Sequence, residues 1–403
     1  MAATGTTVRA NGPLFIYLSA ASLFAAMMAR NFLLPLRVHE LGGSRLDVGL
    51  LSTTLTLTAA VLSLPAGYLS DRLGKRALVV GSALTGGLSQ LGLALAPDVG
   101  PMYAWQVIAG VSNGASQAGF YAALAEVVPR WRLGRAYGWL TLGMQIGFLT
   151  GPALAGLTLN VLDLRTTLLL SSALYVVPLV LGAIGVPTGR HPHPRFEIVG
   201  QLGELMRRPG LAPILLGLFA ATLVWGTQQA YLPLFAIEQL RLPETVIGYM
   251  VALLALSNGL ARLPVGRLID RFGPRLSLIA AGVLAYSVAL AVLPHLGGFW
   301  APTLILMAAV PLMAVAFIAT TVGMNDVASD SSRGIAMGLY SAVLFLGIGL
   351  GPAVFGAVAA RSGYATGFSA CAVTGLALVA LMLLVARRPR QRLAPARTGS
   401  SAQ

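Results

Sequence analysis

The sequence predicts an all-α integral membrane protein whose twelve transmembrane helices form two pseudo-symmetric six-helix bundles. Of the 403 residues, 56% are apolar and only 10% are charged, with a mean hydropathy of +0.79, whereas a soluble domain carries about 25% charged residues. Twelve apolar runs approach or exceed the length of about 20 residues that crosses a bilayer. A repeat at an offset of 199 to 200 residues divides these runs into two sets of six.

The net charge of +14 does not indicate nucleic-acid binding. Nucleic-acid surfaces are continuous basic faces, whereas these arginines form short clusters between apolar runs, as in cytoplasmic loops. The single cysteine, Cys371, provides neither a disulfide framework nor a thiolate metal site. His191 and His193 lack carboxylate or thiol partners, so we expect no metal and no cofactor. The first apolar run continues past Arg30, which argues against a signal peptide.

The spans are bounded by charge, proline or glycine. In chain order they cover residues 14–37, 48–68, 77–96, 101–126, 136–160, 166–186, 212–237, 246–267, 276–294, 299–325, 335–360 and 365–386. The longest loop carries apolar residues at helical spacing, which predicts a short interfacial helix. We therefore predict an N-terminal bundle at 1–188, a cytoplasmic linker at 189–211, a C-terminal bundle at 212–388 and a basic cytoplasmic tail at 389–403.

The distribution of basic residues predicts the orientation. With both termini in the cytoplasm, that side receives 20 basic residues and the other side receives 5. Cytoplasmic loops collect lysine and arginine. We therefore expect a multi-pass protein of a bacterial inner membrane with both termini inside.

The two halves share short motifs. Residues 64–76 (LPAGYLSDRLGKR) match residues 263–275 (LPVGRLIDRFGPR) at eight of 13 positions, and GPALAG at 151–156 matches GPAVFG at 351–356. Glu126 has its counterpart in Asp326. Each copy of the G-x-L-x-D-R-x-G-x-R segment closes the second span of a half, which is unlike an isolated charged turn.

On these motifs the chain resembles the major facilitator superfamily over residues 13–388. The resemblance implies two bundles that rock about a midplane site and expose it to each side in turn. It also implies gating residues at the cytoplasmic ends of the spans: Gly67, Asp71, Arg72, Gly74, Lys75, Arg76 and Glu126 in the first half, and Gly266, Asp270, Arg271, Gly273, Arg275 and Asp326 in the second.

Two of the gating residues have expected contacts. Asp71 would meet the start of span 11 near Gly334, where a helix N-terminus attracts a carboxylate. Glu126 would pair with Arg72 or Lys75. The alternative interpretation is a charged loop that serves topology alone.

Span 5 carries glycines at four-residue steps and Pro152, which permit close helix contact and a bend. This is similar to the Gly-Pro signature of drug–proton antiporters in the family and favours export, although Ala155 replaces one glycine. Span 11 has the same character, so generic packing remains open. The predicted packing and hinge residues are Gly147, Gly151, Pro152, Gly351 and Pro352.

The resemblance implies that spans 1, 4, 7 and 10 face the central cavity. Polar groups are costly against lipid, so polar positions on these spans line a cavity or form interhelical hydrogen bonds. The predicted cavity residues are Arg30, Asn31, Asn113, Gln117, Tyr121, Trp225, Gln228 and Gln229. Arg30 is buried or snorkels outward. None of the 13 acids falls at mid-span, which weakens the case for cation–proton antiport. The lone charge of Arg30 within span 1 favours a neutral or anionic cargo.

The sequence thus predicts a secondary transporter that moves a small organic molecule, with export favoured and proton antiport as the coupling considered. Uptake of a sugar or organic anion is the alternative. A membrane-embedded enzyme is disfavoured, since no catalytic constellation is present. The expected partners are a small-molecule substrate, the lipid bilayer and protons, and the expected state is a monomer.

Overall fold

The computed structural model describes residues 12–63, 73–129, 132–187, 198–272, 276–328 and 333–387. Every regular element within these ranges is helical. The first half contains α1 (Gly12–Glu40), α2 (Arg45–Ser63), α3 (Lys75–Leu95), α4 (Val99–Val127), α5 (Leu133–Thr158), α6 (Leu164–Ala173) and α7 (Val176–Gly185). The connecting segment contains α8 (Ile198–Met206). The second half contains α9 (Leu211–Glu238), α10 (Glu244–Phe272), α11 (Leu276–Val292), a 3-10 turn (Leu293–His295), α12 (Trp300–Val327) and α13 (Arg333–Arg387).

The structure confirms the all-α membrane fold but not the number of spans. Ten helices of the described ranges are long and apolar enough to cross a membrane. The 29-residue α4 is not among the ten; it carries the polar residues of the predicted span 4. The 55-residue α13 counts once, although Gly363 breaks it with a φ of 84°, between the predicted spans 11 and 12. Twelve spans therefore stays a prediction, as do the domain boundaries.

Helix ends gather on two faces of the molecule. One, which we call the terminal face, holds the first residue of α1 beside Val127 and Gly185. It also holds the end of α12, where the Arg208 guanidinium donates a 2.8 Å hydrogen bond to the carbonyl of Val327. The other, which we call the opposite face, holds the ends of α1 and α9 and the start of α2.

Local sequence accounts for the sharp helix starts at the opposite face. Ser44 and Asp47 form a reciprocal capping box at the start of α2, with backbone-to-side-chain distances of 2.8 and 3.2 Å. Asp98 caps α4, and Asp163 caps α6 by accepting hydrogen bonds from Thr166. These bonds from Thr166 also hold the pKa of the Asp163 carboxyl below its usual value.

The glycine motifs position equivalent helices in the two halves. A Cβ added to Gly147 or Gly151 of α5 would strike the backbone of α1 at Ala21 and Ala25. A Cβ added to Gly347 or Gly351 of α13 would likewise strike residues of α9. The absence of a side chain thus brings α5 against α1 and α13 against α9.

Among the described residues, the two halves make close contacts toward the opposite face. Gly156 of α5 and Gly248 of α10 approach so closely that a Cβ on Gly156 would lie 2.9 Å from the Cα of Gly248. The Thr53 hydroxyl of α2 donates a 2.5 Å hydrogen bond to the carbonyl of Gly349 on α13. Toward the terminal face, α5 and α10 separate and leave a cleft between them.

Candidate functional site

A small cavity of about 60 Å³, which we call the central cavity, lies between the two halves. Asn31 of α1 and Phe148 of α5 line it from the first half, and Trp225, Gln228 and Gln229 of α9 line it from the second. Four of the eight predicted cavity residues, Asn31, Trp225, Gln228 and Gln229, are therefore brought together here.

Two lining residues are held in place by their neighbours. The Tyr286 hydroxyl donates a 2.8 Å hydrogen bond to the side-chain oxygen of Gln228, so the amide NH2 of Gln228 remains available as a donor. The Trp225 ring packs edge-on against Phe317 with centroids 5.7 Å apart. The cavity thus presents neutral amide groups beside aromatic faces, the chemistry that suits an uncharged polar or aromatic ligand, although its volume of about 60 Å³ is well below the range of about 300–1,000 Å³ that ligand pockets occupy.

Arg30 does not line this cavity. Its side chain is fully buried in the first half, where it donates a 3.1 Å hydrogen bond to the Asn113 side-chain oxygen. Its Nε and Nη1 atoms have no hydrogen-bond partner within the described residues. Arg30 is therefore buried and does not snorkel outward. Two of the predicted cavity residues, Arg30 and Asn113, bind each other.

The other two predicted residues of span 4 also lie away from the cavity. Tyr121 packs edge-on against Tyr137 of α5, with centroids 5.2 Å apart, and Gln117 is half-buried on α4. Gln106, on the same helix, is fully buried.

At the terminal face, one expected ion pair is formed. The Lys75 ammonium at the start of α3 lies 2.7 Å from the Glu126 carboxylate near the end of α4, with both side chains largely buried. Gly74 precedes α3 with a φ of 89°, a conformation that favours glycine. This pair joins two helices of one half, so its direct effect is on the stability of that half.

The remaining predicted gating residues are less fully described. Arg76 is half-buried, and Asp326 is exposed near the end of α12. Gly266, Asp270 and Arg271 lie in the last turns of α10, and their side-chain environment is outside what the structure describes. Gly67, Asp71, Arg72, Gly273 and Arg275 lie outside the described residues.

The opposite face contains a cross-half contact that the sequence analysis missed. Arg45 of α2 binds the Glu238 carboxylate of α9 through Nε at 2.8 Å and Nη2 at 2.5 Å. Its Nη1 donates a 3.2 Å hydrogen bond to the Ala359 carbonyl of α13. The Arg45 guanidinium also stacks 4.3 Å from the ring centre of Tyr364, whose hydroxyl donates to Glu238 at 3.1 Å.

We call the Arg45, Glu238 and Tyr364 group the opposite-face clamp. Tyr231 reinforces it, since its hydroxyl lies 2.8 Å from the carbonyl of Arg45 and 3.0 Å from that of Pro352. His39 also approaches Glu238 at 3.8 Å. The sequence contains one indication of this contact, since Arg45 and Glu238 both lie in loops that the predicted topology places outside the membrane. Because 193 residues separate them, the sequence does not indicate that they meet.

A polytopic helical protein with a cavity between two halves, closed at one face, has the architecture of a membrane transporter. The chain belongs to the Major Facilitator Superfamily, whose model matches residues 16–245 and 214–402. Members of this family carry small molecules across membranes. The chain is therefore a multi-pass membrane transporter.

The relatives and solved structures agree with this assignment. An uncharacterised MFS-type transporter of Methanocaldococcus jannaschii is 21% identical over 87% of this chain and 92% of its own length. The tetracycline resistance protein, class C, of Escherichia coli is 26% identical over 80% of this chain and 82% of its own. The multi-drug resistance efflux pump PmrA of Streptococcus pneumoniae is 26% identical over 62% of this chain and 64% of its own. The nucleoside transporter NupG matches the fold with a TM-score of 0.79 and 14% identity, over 93% of this chain and all of NupG.

Proposed function

We propose that the protein exports a small, uncharged organic molecule across a bacterial inner membrane by alternating access. The observation that carries the proposal is the central cavity, which takes residues from both halves and is closed by the opposite-face clamp. Two of the relatives are a multi-drug resistance efflux pump and a tetracycline resistance protein, which supports export over uptake.

The chemistry of the cavity supports an uncharged cargo. Its described lining offers the amides of Asn31, Gln228, Gln229 and Asn258 and the aromatic rings of Phe32, Phe148, Trp225 and Tyr286. Arg30 lies outside this lining and is tied to Asn113, which removes the main argument for an anionic cargo. We keep uptake of a sugar as the second candidate, since amides and aromatic rings also suit a sugar.

We propose further that the terminal face is cytoplasmic, because 20 basic residues lie on the side of the termini and 5 on the other. In that orientation the structure is closed toward the outside and parted between α5 and α10 toward the inside. A monomer suffices for this arrangement, since both halves of the cavity come from one chain. We include in the proposal that export of the cargo is coupled to the inward movement of protons.

Transport in proteoliposomes tests the proposal. The purified protein would be reconstituted and screened with labelled uncharged drugs and metabolites, with and without an imposed proton gradient. We expect gradient-dependent movement of at least one compound toward the opposite face, and a loss of at least tenfold in apparent affinity for Gln228→Ala.

The matched control is Gln239→Ala, at the end of the same helix, where the amide binds the carbonyl of Pro294 outside the cavity. Normal affinity in Gln228→Ala would contradict the placement of the site. Movement only toward the terminal face would favour uptake over export.

A further inference from the structure

The cleft between α5 and α10 has the size of a ligand site. It measures about 580 Å³, within the range of about 300–1,000 Å³ that ligand pockets occupy. Its walls are residues 138–149 of α5 and residues 255–260 of α10, with Ile318 of α12 behind them. Ala255 lines both this cleft and the central cavity, so the two spaces are neighbours.

The walls of the cleft are mostly apolar and are uncovered; Thr141 and Gln145 of α5 are the polar residues in the lining. Leu142 and Ile146 of α5 are 45% and 49% exposed, and Leu256 and Leu260 of α10 are 40% and 57% exposed. Both helix segments fall within or next to membrane-crossing segments. Filling such a space with water would leave its apolar walls hydrated at the level of the bilayer, which is unfavourable. Hydrocarbon is the medium that matches these walls.

The length of the cleft matches one leaflet. From Gly138 to Leu149 the helix rises by about 17 Å at 1.5 Å per residue. Half of a hydrocarbon core is about 15 Å. The end of the cleft nearest the terminal face is marked by Arg135, an exposed cation one turn before Gly138, at the level where a lipid phosphate lies.

Glycines leave room in both walls. A Cβ built on Gly138 or on Gly259 meets no atom within 4 Å. Neither glycine is therefore needed for a close helix contact in this structure. A side chain that begins at either position would therefore start in open space.

We propose that this cleft binds one acyl chain of a phospholipid from the terminal-face leaflet, with the lipid phosphate near Arg135. The chain lies between the two halves. In the alternating-access cycle, closure of the terminal face brings α5 toward α10 and must expel it. The bound lipid thereby stabilises the state that is parted at the terminal face.

Fluorine NMR in proteoliposomes of phosphatidylethanolamine and phosphatidylglycerol tests this site without any transport assay. A small trifluoroethylthio probe would be placed at Leu149→Cys, inside the cleft, in a Cys371→Ala background. Relaxation would be measured with nitroxide-labelled phosphatidylglycerol and, separately, with a water-soluble gadolinium chelate. Leu381→Cys, on an exposed face of α13, provides the lipid-facing reference.

We expect the nitroxide lipid to relax the Leu149 probe to within twofold of the Leu381 probe, and the gadolinium chelate to have no effect on it. Gly259→Leu should reduce the effect of the nitroxide lipid at Leu149 at least threefold. Gly81→Leu, at another glycine with no atom within 4 Å, should not. An unchanged Leu381 signal shows that each variant is folded.

Three results would overturn the proposal. Relaxation by gadolinium at Leu149 would show a water-filled cleft. No relaxation by either agent would show a cleft that is closed in the bilayer. An unchanged lipid effect in Gly259→Leu would show that the lipid approaches from outside the cleft.

Discussion

Glu238→Gln should open the opposite face by weakening the clamp. The Glu238 carboxylate accepts two hydrogen bonds from Arg45 and one from Tyr364, and the side chains of Arg45 and Glu238 are only 31% and 21% exposed. Hydrogen bonds to charged groups contribute about 1.5–3 kcal/mol each, and partial exposure places the net loss near the lower end, at about 2 kcal/mol.

A loss of this size has a measurable effect on the conformational equilibrium. Since 1.4 kcal/mol corresponds to a factor of ten, about 2 kcal/mol shifts the ratio of open to closed molecules by roughly 30-fold. A protein open at this face in one molecule per hundred would then be open in about one in four.

Double electron–electron resonance would report the change through spin labels at Val161→Cys and Ser362→Cys, two exposed positions near the opposite face, in a Cys371→Ala background. We expect a longer-distance population in Glu238→Gln and, to a similar extent, in Arg45→Gln. The matched control is Glu40→Gln, which breaks a 2.6 Å pair with Arg37 inside α1 alone. An unchanged distance distribution in Glu238→Gln, or an equal change in Glu40→Gln, would refute the role of the clamp.

Three further predictions follow from the topology, the terminal-face pair and the buried arginine. A reporter fused after Gln403 or within 187–211 should read cytoplasmic and one near Asp98 external; an external reading at Gln403 would overturn the orientation. A double-mutant cycle of Lys75→Ala and Glu126→Ala should give a coupling of about 1 kcal/mol in thermal unfolding, and purely additive effects would contradict a direct pair. Asn113→Ala should destabilise the protein by about 1.5–3 kcal/mol because it removes a hydrogen bond to a buried charge. Arg30→Gln should destabilise it less, because this variant also removes the charge. The reverse order of melting temperatures would show that Arg30 has a further anionic partner.

The sequence predicted site residues correctly when those residues share one face of a single helix. The amides of Gln228 and Gln229 and the ring of Trp225 lie within one turn of α9, and the cavity collects all three. The polar residues of span 4 share a face by the same spacing, but Asn113 binds Arg30 and Tyr121 packs against Tyr137, both within the first half. Periodicity identifies residues that share a face and does not identify which neighbour that face meets.

Arg30 illustrates the same limit for a single residue. Its position in an apolar run predicted either burial or an outward reach, and both were compatible with the run. The choice depended on Asn113, which lies 83 residues away and supplies an oxygen at 3.1 Å. Asn31, the next residue, faces the cavity instead, since successive helical residues differ by about 100° in direction.

The sequence by itself determined that this protein is a helical membrane protein, that its two halves are related and that it belongs with the major facilitator transporters. These properties can be predicted from contiguous segments of the sequence. Each span is a continuous apolar run, and each charged G-x-L-x-D-R-x-G-x-R motif lies within a segment of thirteen residues. Only the tertiary structure shows that Arg45 binds Glu238, that Arg30 is buried against Asn113, and that α5 and α10 separate to form a mostly apolar cleft. Each of these depends on which helices pack together and at what angle. That geometry is set jointly by small residues on facing surfaces far apart in the chain, such as Gly156 and Gly248, and no single segment encodes it.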